Sequence, residues 1–348
     1  MSTLLRNAPF GERDDARLLA DLNAVTQHHL AGCAPYARIW PDAAPAERFD
    51  QVPYVHVGVF KHLDLRTEGA SVRHQRTLLS SATTSGQSSR IALDNESARL
   101  QSQSSYAILA DFVGTRQRPL LVLDSARGLR QQGALSARIA AAMSLQPLAT
   151  DMSFLLESSE DLEHVKWETL LRALAQHDDL LVYGFTYVLW LAFSQERVPA
   201  EVRRAMRGKR IHFVHSGGWK RLESLSVSRE RFDADLLEGL DPESRVVDYY
   251  GLVEQVGVVY PLCAEGFRHV PVWAAVIVRE TATLRSLVEE PGQLQLMNPL
   301  AWGAPYHSVL TEDVGRIVAG QCACGRSGPR FEFLGRLPKA ETRGCANV

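Results

Sequence analysis

Lysine is scarce in this sequence. Of 38 basic residues only Lys61, Lys166, Lys209, Lys220 and Lys339 are lysines, and 40 acidic residues leave a formal net charge of -2. A chain so nearly balanced has no global field to draw it to nucleic acid or to an anionic membrane surface. Long hydrophobic runs are also missing. The most apolar stretch, residues 180–193, is interrupted by Gly184 and Thr186 and falls short of the ~20 residues that a membrane span requires. Residues 1–13 carry early charges and lack the apolar core of a signal peptide. Cysteine occurs five times, as Cys33, Cys263, Cys322, Cys324 and Cys345. An odd count in a long chain argues against a disulfide framework and leaves the thiols for metal binding or catalysis. A cytoplasmic location is expected. There is no internal repeat and no long low-complexity tract.

What is present is the composition of an ordinary globular chain: 348 residues, 45% apolar and 22% charged. That length suits one large domain or two modest ones. Residues 1–77 read as a helical and extended region, with a helix over 14–30 (Leu18, Leu22, Val25) followed by a proline-punctuated connection. Residues 78–255 read as an α/β core. Apolar strands are expected at 119–124, 180–183, 210–214 and 245–249, and helices at 133–145 and between the second and third of these strands. Alternation of this kind predicts a parallel, doubly wound sheet whose ligand sits at the carboxyl ends of the strands. Gly184, Ser216 to Gly218 and Tyr250 to Gly251 should then share one crevice. Residues 256–348 read as a smaller β-rich subdomain, with strands at 272–278, 315–318 and 330–334.

Four short motifs carry chemistry. Residues 80–89, including Ser80, Ser81, Thr83, Thr84, Ser85, Gly86 and Gln87, are almost all small or hydroxylated, and such a loop can wrap a polyphosphate with hydroxyls and backbone N–H groups. His215-Ser216-Gly217-Gly218-Trp219-Lys220 follows a strand, and its glycines let backbone approach a flat ligand. In Tyr249-Tyr250-Gly251-Leu252-Val253-Glu254 a tyrosine can stack on a base and a glutamate can hold magnesium. Thr311-Glu312-Asp313-Val314-Gly315, with Gly335-Arg336 beyond it, offers a carboxylate for ribose hydroxyls and a guanidinium for phosphate. Each is equally a plain feature when taken alone: a surface turn, a tight turn after a strand, a core tyrosine, an Asp-x-Gly turn.

Their order is more specific than any one of them. A hydroxyl loop, a Gly-Gly turn, Tyr-Gly-x-x-Glu, Thr-Glu-Asp and Gly-Arg, in that sequence, resembles the core motifs of the adenylate-forming superfamily. Ser-Gly-Gly-Trp-Lys, His-Val-Pro-x-Trp from His269, Leu-Thr-Glu-Asp-Val-Gly and the terminal Arg343-Gly344-Cys345-Ala346 are similar to the acyl-protein synthetase family, the long-chain-fatty-acid–luciferin-component ligases, with phenylacetate–coenzyme A ligases as the next relatives. The likeness runs from about residue 78 to the end. It implies an α/β fold of the adenylate-forming N-terminal type, with doubly wound sheets and a β-rich subdomain, and without the mobile C-terminal domain. It implies ATP and magnesium as cofactors, acyl-AMP as intermediate and a thioester as product. Residues 80–87 would hold phosphates, Ser216, Gly217 and Gly218 would line the adenine or acyl pocket, and Tyr250 would stack on adenine beside Gly251. Glu254 would bind magnesium, and Asp313 and Arg336 would hold ribose. Cys345 stands at the acyl-acceptor position, with Arg343 favouring its thiolate. Lys220 or Lys339 would substitute for the lysine of the expected missing domain. The partners implied are a carboxylic acid and an acyl-accepting protein: a reductase, carrier or transferase. Coenzyme A or a carrier thiol as direct acceptor, or a non-catalytic nucleotide binder, are the rival readings. Thr83 departs from the glycine usual in the phosphate loop.

Cys322-x-Cys324-Gly resembles a zinc knuckle, which Cys263 and His269 would complete as a Cys3His tetrahedron. The rival is that His269 serves the active site or the core.

Overall fold

Apolar runs such as residues 120–123 and 180–183 have no polar side to show to water, so they can only form strands covered on both faces. In the computed structural model they lie at the centre of a parallel sheet. The structure describes residues 3–80, 88–127, 134–158, 161, 164–194, 196–219, 224, 226–255 and 257–337. In chain order the strands are β1 Val55–His56, β2 His74–Leu79, β3 Arg90–Asp94, β4 Arg118–Ser125, β5 Ala134–Ser136, β6 Ala149–Leu156, β7 Asp179–Phe185 and β8 Arg210–Ser216. They continue with β9 Arg245–Tyr250, β10 Tyr260–Pro261, β11 Arg268–His269, β12 Ala275–Arg279, β13 Ser286–Leu287, β14 Gly292–Met297, β15 Ser308–Val318 and β16 Arg330–Arg336.

Three sheets result. The first runs β10-β9-β8-β7-β4-β6 and is parallel except at β10. The second, β11-β16-β15-β14-β12-β13, is antiparallel, with β1 added in parallel against β15. The third, β3-β2-β5, is small. The four strands expected at 119–124, 180–183, 210–214 and 245–249 are all present, each longer by one to three residues. Gly184 lies within β7 rather than after it. The C-terminal strands expected at 315–318 and 330–334 are the later part of β15 and most of β16. Only residues 275–278 of the run expected at 272–278 are strand.

Alternation along β4 sorts the core. Leu121 and Leu123 face one apolar cluster, built with the helices Trp167–Gln176, Thr186–Phe193, Ala200–Met206 and Arg229–Leu237. Leu120 and Val122 face another, shared with the helix Asn95–Val113 and with Trp273, Leu294 and Leu296 of the β-rich body. The helix Asn95–Val113 starts where Asp94 accepts from the Glu96 and Ser97 amides and stops at Gly114, φ 81°. Its buried face mixes apolar residues, Leu100, Ile108, Leu109 and Val113, with polar ones. Ser104 accepts from Trp273 Nε1 at 2.7 Å, Gln101 donates to the Tyr306 hydroxyl at 2.8 Å, Ser105 donates to the Gly257 carbonyl at 3.3 Å, and Ser97 accepts from the Trp302 amide at 2.7 Å. Gly257 presses on this helix at φ 85°, and a Cβ there would stand 2.5 Å from Gln101 Cα. Gly257→Ala is therefore expected to destabilise the protein by about 3 kcal/mol, read as a lower urea midpoint at unchanged slope.

The N-terminal segment is built into the β-rich body. From the helix Asp15–Gly32, His29 donates through Nε2 to the Ala301 carbonyl at 3.0 Å and accepts from Thr67 at Nδ1. Thr26 bonds His307 at 2.9 Å, and the His29 and His307 rings lie 4.9 Å apart. Burial holds both imidazoles neutral, His307 down to about 3. A folded-state pKa below the unfolded value means stability that is complete above about pH 6.5 and is lost as pH falls toward the folded pKa. Between pH 8 and pH 5.5 the stability loss should be smaller in His307→Gln than in wild type by about 1 kcal/mol. Parallel pH profiles for the two proteins would refute this.

Candidate active site and cysteine–histidine cluster

The parallel strands β4, β7, β8 and β9 end on Ser125, Phe185, Ser216 and Tyr250. Register aligns Phe185 with Ser216 and Ser216 with Tyr249, so the expected glycine turns lie along one edge. The Tyr183 hydroxyl sits 3.4 Å from both Ser216 Oγ and Tyr249 Oη. Thr186 donates to the Gly217 carbonyl at 2.7 Å, and Gly217 takes φ 78°, a conformation that favours glycine. Phe185, Tyr187, Trp190 and Trp219 pack against the apolar cluster that holds Leu121 and Leu123.

The second sheet meets this edge at Asp313. Tyr250 donates its hydroxyl to Asp313 Oδ2 at 2.8 Å. Arg336 lies opposite Asp313 in register, with Nε 3.5 Å from Oδ1, and is largely exposed. Burial pushes the Asp313 carboxyl up, opposed by the Tyr250 hydrogen bond and the Arg336 charge. Burial and the adjacent Asp313 charge raise the Tyr250 phenol well above its ordinary value, so it remains a donor. The Tyr250 ring stacks on Phe333 at 4.9 Å and lies near Tyr260 and Phe331. The face expected to meet adenine is thus shared with an aromatic side chain of β16, which the sequence reading did not include.

Glu254 follows in a single helical turn, Val253–Gln255, and is 5% exposed. Burial raises its carboxyl, and the Ser89 hydroxyl, its own backbone and the Lys61 cation oppose this while Asp313 adds to it. No ion pair to Glu254 exists among the described residues. A buried carboxylate without a paired cation fits a site for a divalent ion with oxygen ligands. Lys61 was not foreseen. It reaches this region because β1 pairs with β15 and the Val57 amide donates to the Leu310 carbonyl at 2.8 Å. Ser80 and Ser89 close the base of a β2–β3 connection, the Ser89 amide donating to Ser80 Oγ at 2.8 Å. The phosphate-loop residues Ser81, Thr83, Thr84, Ser85, Gly86 and Gln87, and also Lys220, Lys339 and Cys345, lie outside the described residues.

The four residues of the expected zinc site do come together. Donor atoms of Cys263, His269, Cys322 and Cys324 all lie within 4.8 Å of one another. Cys263 Sγ is 3.9 Å from Cys322 Sγ, and Cys324 Sγ is 3.2 Å from His269 Nε2. These separations suit a tetrahedron with Zn–S near ~2.3 Å and Zn–N near ~2.0 Å. Each knuckle turns on a left-handed glycine, Gly266 or Gly325. The pairing of His269 on β11 with Arg330 on β16 brings the two cysteine turns into range.

The family profile described as acyl-protein synthetase, LuxE, matches residues 27–348. The chain belongs to that family. Over 144 residues it is 26% identical to the long-chain-fatty-acid–luciferin-component ligase of Aliivibrio fischeri, a match spanning 40% of this chain and 37% of that protein. Among solved structures it is similar to a 2-hydroxyisobutyryl-CoA ligase in an open conformation, in complex with 2-HIB-AMP and CoA, at 16% identity and TM-score 0.66, covering 92% of this chain and 74% of that one. The same ligase in its thioesterification state aligns at TM-score 0.65 and 15% identity, covering 93% and 68%. At such identities the likeness is one of fold, and the fold is that of the adenylate-forming ligases, as the motif order implied.

A test of the cysteine–histidine cluster follows from its donor set. Protein purified without chelator should carry about one zinc per chain, and Cys322→Ser should lower both zinc content and melting temperature, the latter by about 5 °C or more. Metal-free wild-type protein that melts at the same temperature as the zinc-loaded form would rule out a structural site.

Proposed function

We propose that this protein activates a carboxylic acid with ATP as an acyl-adenylate and passes the acyl group to a thiol. The carrying observation is the convergence of Glu254, Tyr250, Asp313 and Arg336 at the carboxyl edge of the parallel sheet, beside the base of the hydroxyl-rich loop. Family membership supports it, as does the adenylate held by the structurally similar 2-hydroxyisobutyryl-CoA ligase.

In this reading Asp313 accepts the ribose hydroxyls, with Tyr250 fixing the orientation of its carboxylate and Arg336 supplying charge beside it. Ser216 to Gly218 border the adenine or acyl moiety. Glu254 would hold magnesium, which would neutralise phosphate charge and favour pyrophosphate as leaving group. A substrate carboxylate oxygen attacks the α-phosphorus, the bond to the β-phosphate bridge breaks, and pyrophosphate departs. A thiolate then attacks the acyl carbonyl carbon, and the bond to the AMP oxygen breaks. Cys345 is the proposed thiol, followed by transfer to a partner protein. The fixed orientation of these groups supplies most of the acceleration through positioning and electrostatics.

Acid-dependent ATP–pyrophosphate exchange tests the first half. Asp313→Ala should lower it about 100-fold or more, and Tyr250→Phe, which leaves a buried Asp313 oxygen unpaired, about 10-fold, chiefly in the KM for ATP. Wild-type protein inactive in exchange across fatty, aryl and short polar acids would refute acid activation. Cys345→Ser should retain exchange and lose the covalent acyl label. Equal labelling of the serine variant would assign the acceptor role to another thiol.

A further inference from the structure

The amino edge of the parallel sheet has a chemistry of its own. Strands β4, β7, β8 and β9 begin on Arg118, Asp179, Arg210 and Arg245, so four charged side chains emerge side by side at the edge opposite Ser216 and Tyr250. They line a cavity of about 680 Å3, which six arginines share with only three carboxylates. That volume is in the ~300–1,000 Å3 range of small-molecule sites.

The ion pairs inside it are incomplete. Asp179 has three guanidinium neighbours: Arg118 at 2.9 Å, Arg116 at 3.4 Å and Arg210 at 3.9 Å. Arg210 also meets Glu243 and Asp241, Arg229 pairs with Asp233, and Arg326 pairs with Asp111. Arg245 has no ion pair among the described residues. Arg118 Nε and Asp179 Oδ1, at 2.9 Å, are paired off the hydrogen-bond line, and Nδ1 of His212 is buried without a hydrogen-bond partner among the described residues. His212 is 5% exposed and lines the cavity from the third residue of β8. A purely structural ion network would match its charges and satisfy its donors. This one leaves the exposed Arg245 unpaired and makes Arg116, Arg118 and Arg210 share Asp179, guanidinium groups whose planar donor forks match the oxygens of a phosphate, and adds a buried imidazole able to contribute one further donor.

We propose that this cavity binds the phosphate groups of a small, nucleotide-sized anion, at a site separate from the carboxyl-edge crevice. Arg116 and Arg245 at the mouth draw the anion in, Arg118 and Arg210 line the interior, and Asp179 fixes the guanidinium groups in place. The inference does not depend on the acyl-adenylate reading.

Equilibrium dialysis of the full chain, in magnesium-free buffer, with labelled adenosine 3′,5′-bisphosphate and with inorganic pyrophosphate, tests it. Wild type should bind, more weakly as salt rises. Arg116→Ala/Arg245→Ala, which alters two exposed side chains, should bind at least tenfold more weakly with an unchanged melting temperature. Arg245→Lys should restore part of the affinity of Arg245→Ala. Asp313→Ala, which alters the proposed ribose site, should bind as wild type does. Tighter binding of the bisphosphate assigns the site to a nucleotide, and equal binding assigns it to a phosphate anion alone. Absence of binding in wild type at millimolar concentrations, or unchanged binding in the double arginine variant, would overturn the proposal.

Discussion

The position of the candidate active site depends on one interface, the buried face of the helix Asn95–Val113. Two bodies must meet there at fixed distance, because Tyr250 ends a strand of the parallel sheet while Asp313 lies in the antiparallel one. Apolar packing alone is tolerant of small slides. Four hydrogen bonds from Ser97, Gln101, Ser104 and Ser105 to Trp302, Tyr306, Trp273 and Gly257 are not, since a shift would leave each buried group unpaired at a cost of about 1–3 kcal/mol. Serine is short enough to let the backbones approach, and Gly257 carries the same logic to its limit against Gln101. The Tyr250–Asp313 contact is a consequence of that fixed spacing.

This interface is also what sequence reasoning could not find. The parallel strands were legible because both faces are buried, so their apolar runs stand out. The helix Asn95–Val113 was not, because serine and glutamine take buried positions between Leu100 and Ile108 and so weaken its hydrophobic periodicity. The strand β2 was missed for a related reason, since His74, Gln75, Arg76 and Thr77 leave it largely outside the core, and β3 was missed because its buried apolar run is only three residues, Ile91 to Leu93. Residues 311–315, whose plain reading was a turn, are strand, and the Gly315 region contributes a register shift rather than a reversal. Asp313 and Arg336 were found from motif order, but their pairing comes from β15–β16 register. Lys61 had no motif at all and enters through the β1–β15 pairing. Cys263 and Cys322 lie far apart in the chain, so their meeting is a property of the second sheet and only their chemistry was readable.

The two edges of the parallel sheet divide charge in a way that suits opposite tasks. The carboxyl edge presents hydroxyls, glycine turns and aromatic rings, with its carboxylates Glu254 and Asp313 buried. The amino edge presents guanidinium groups, three of them sharing one carboxylate, Asp179. An arginine cluster at the carboxyl edge would hold phosphates strongly in every state, including after the reaction, and binding that does not distinguish ground state from transition state does not accelerate chemistry. On the proposed reading, neutral donors and a cation recruited by a buried carboxylate would avoid that trap.

The buried carboxylates follow from the same reasoning. Desolvation raises both Glu254 and Asp313, and the charge of Asp313 further raises Glu254. Keeping two such groups ionised costs stability, and only partial relief comes from Tyr250, Ser89, Lys61 and an exposed Arg336. On the proposed reading the nucleotide provides the rest: ribose hydroxyls donate to Asp313, and the divalent ion accompanying the phosphates cancels the charge on Glu254. The two carboxylates are then restored to favourable surroundings only when both parts of the ligand are present, so each should strengthen the binding of the other.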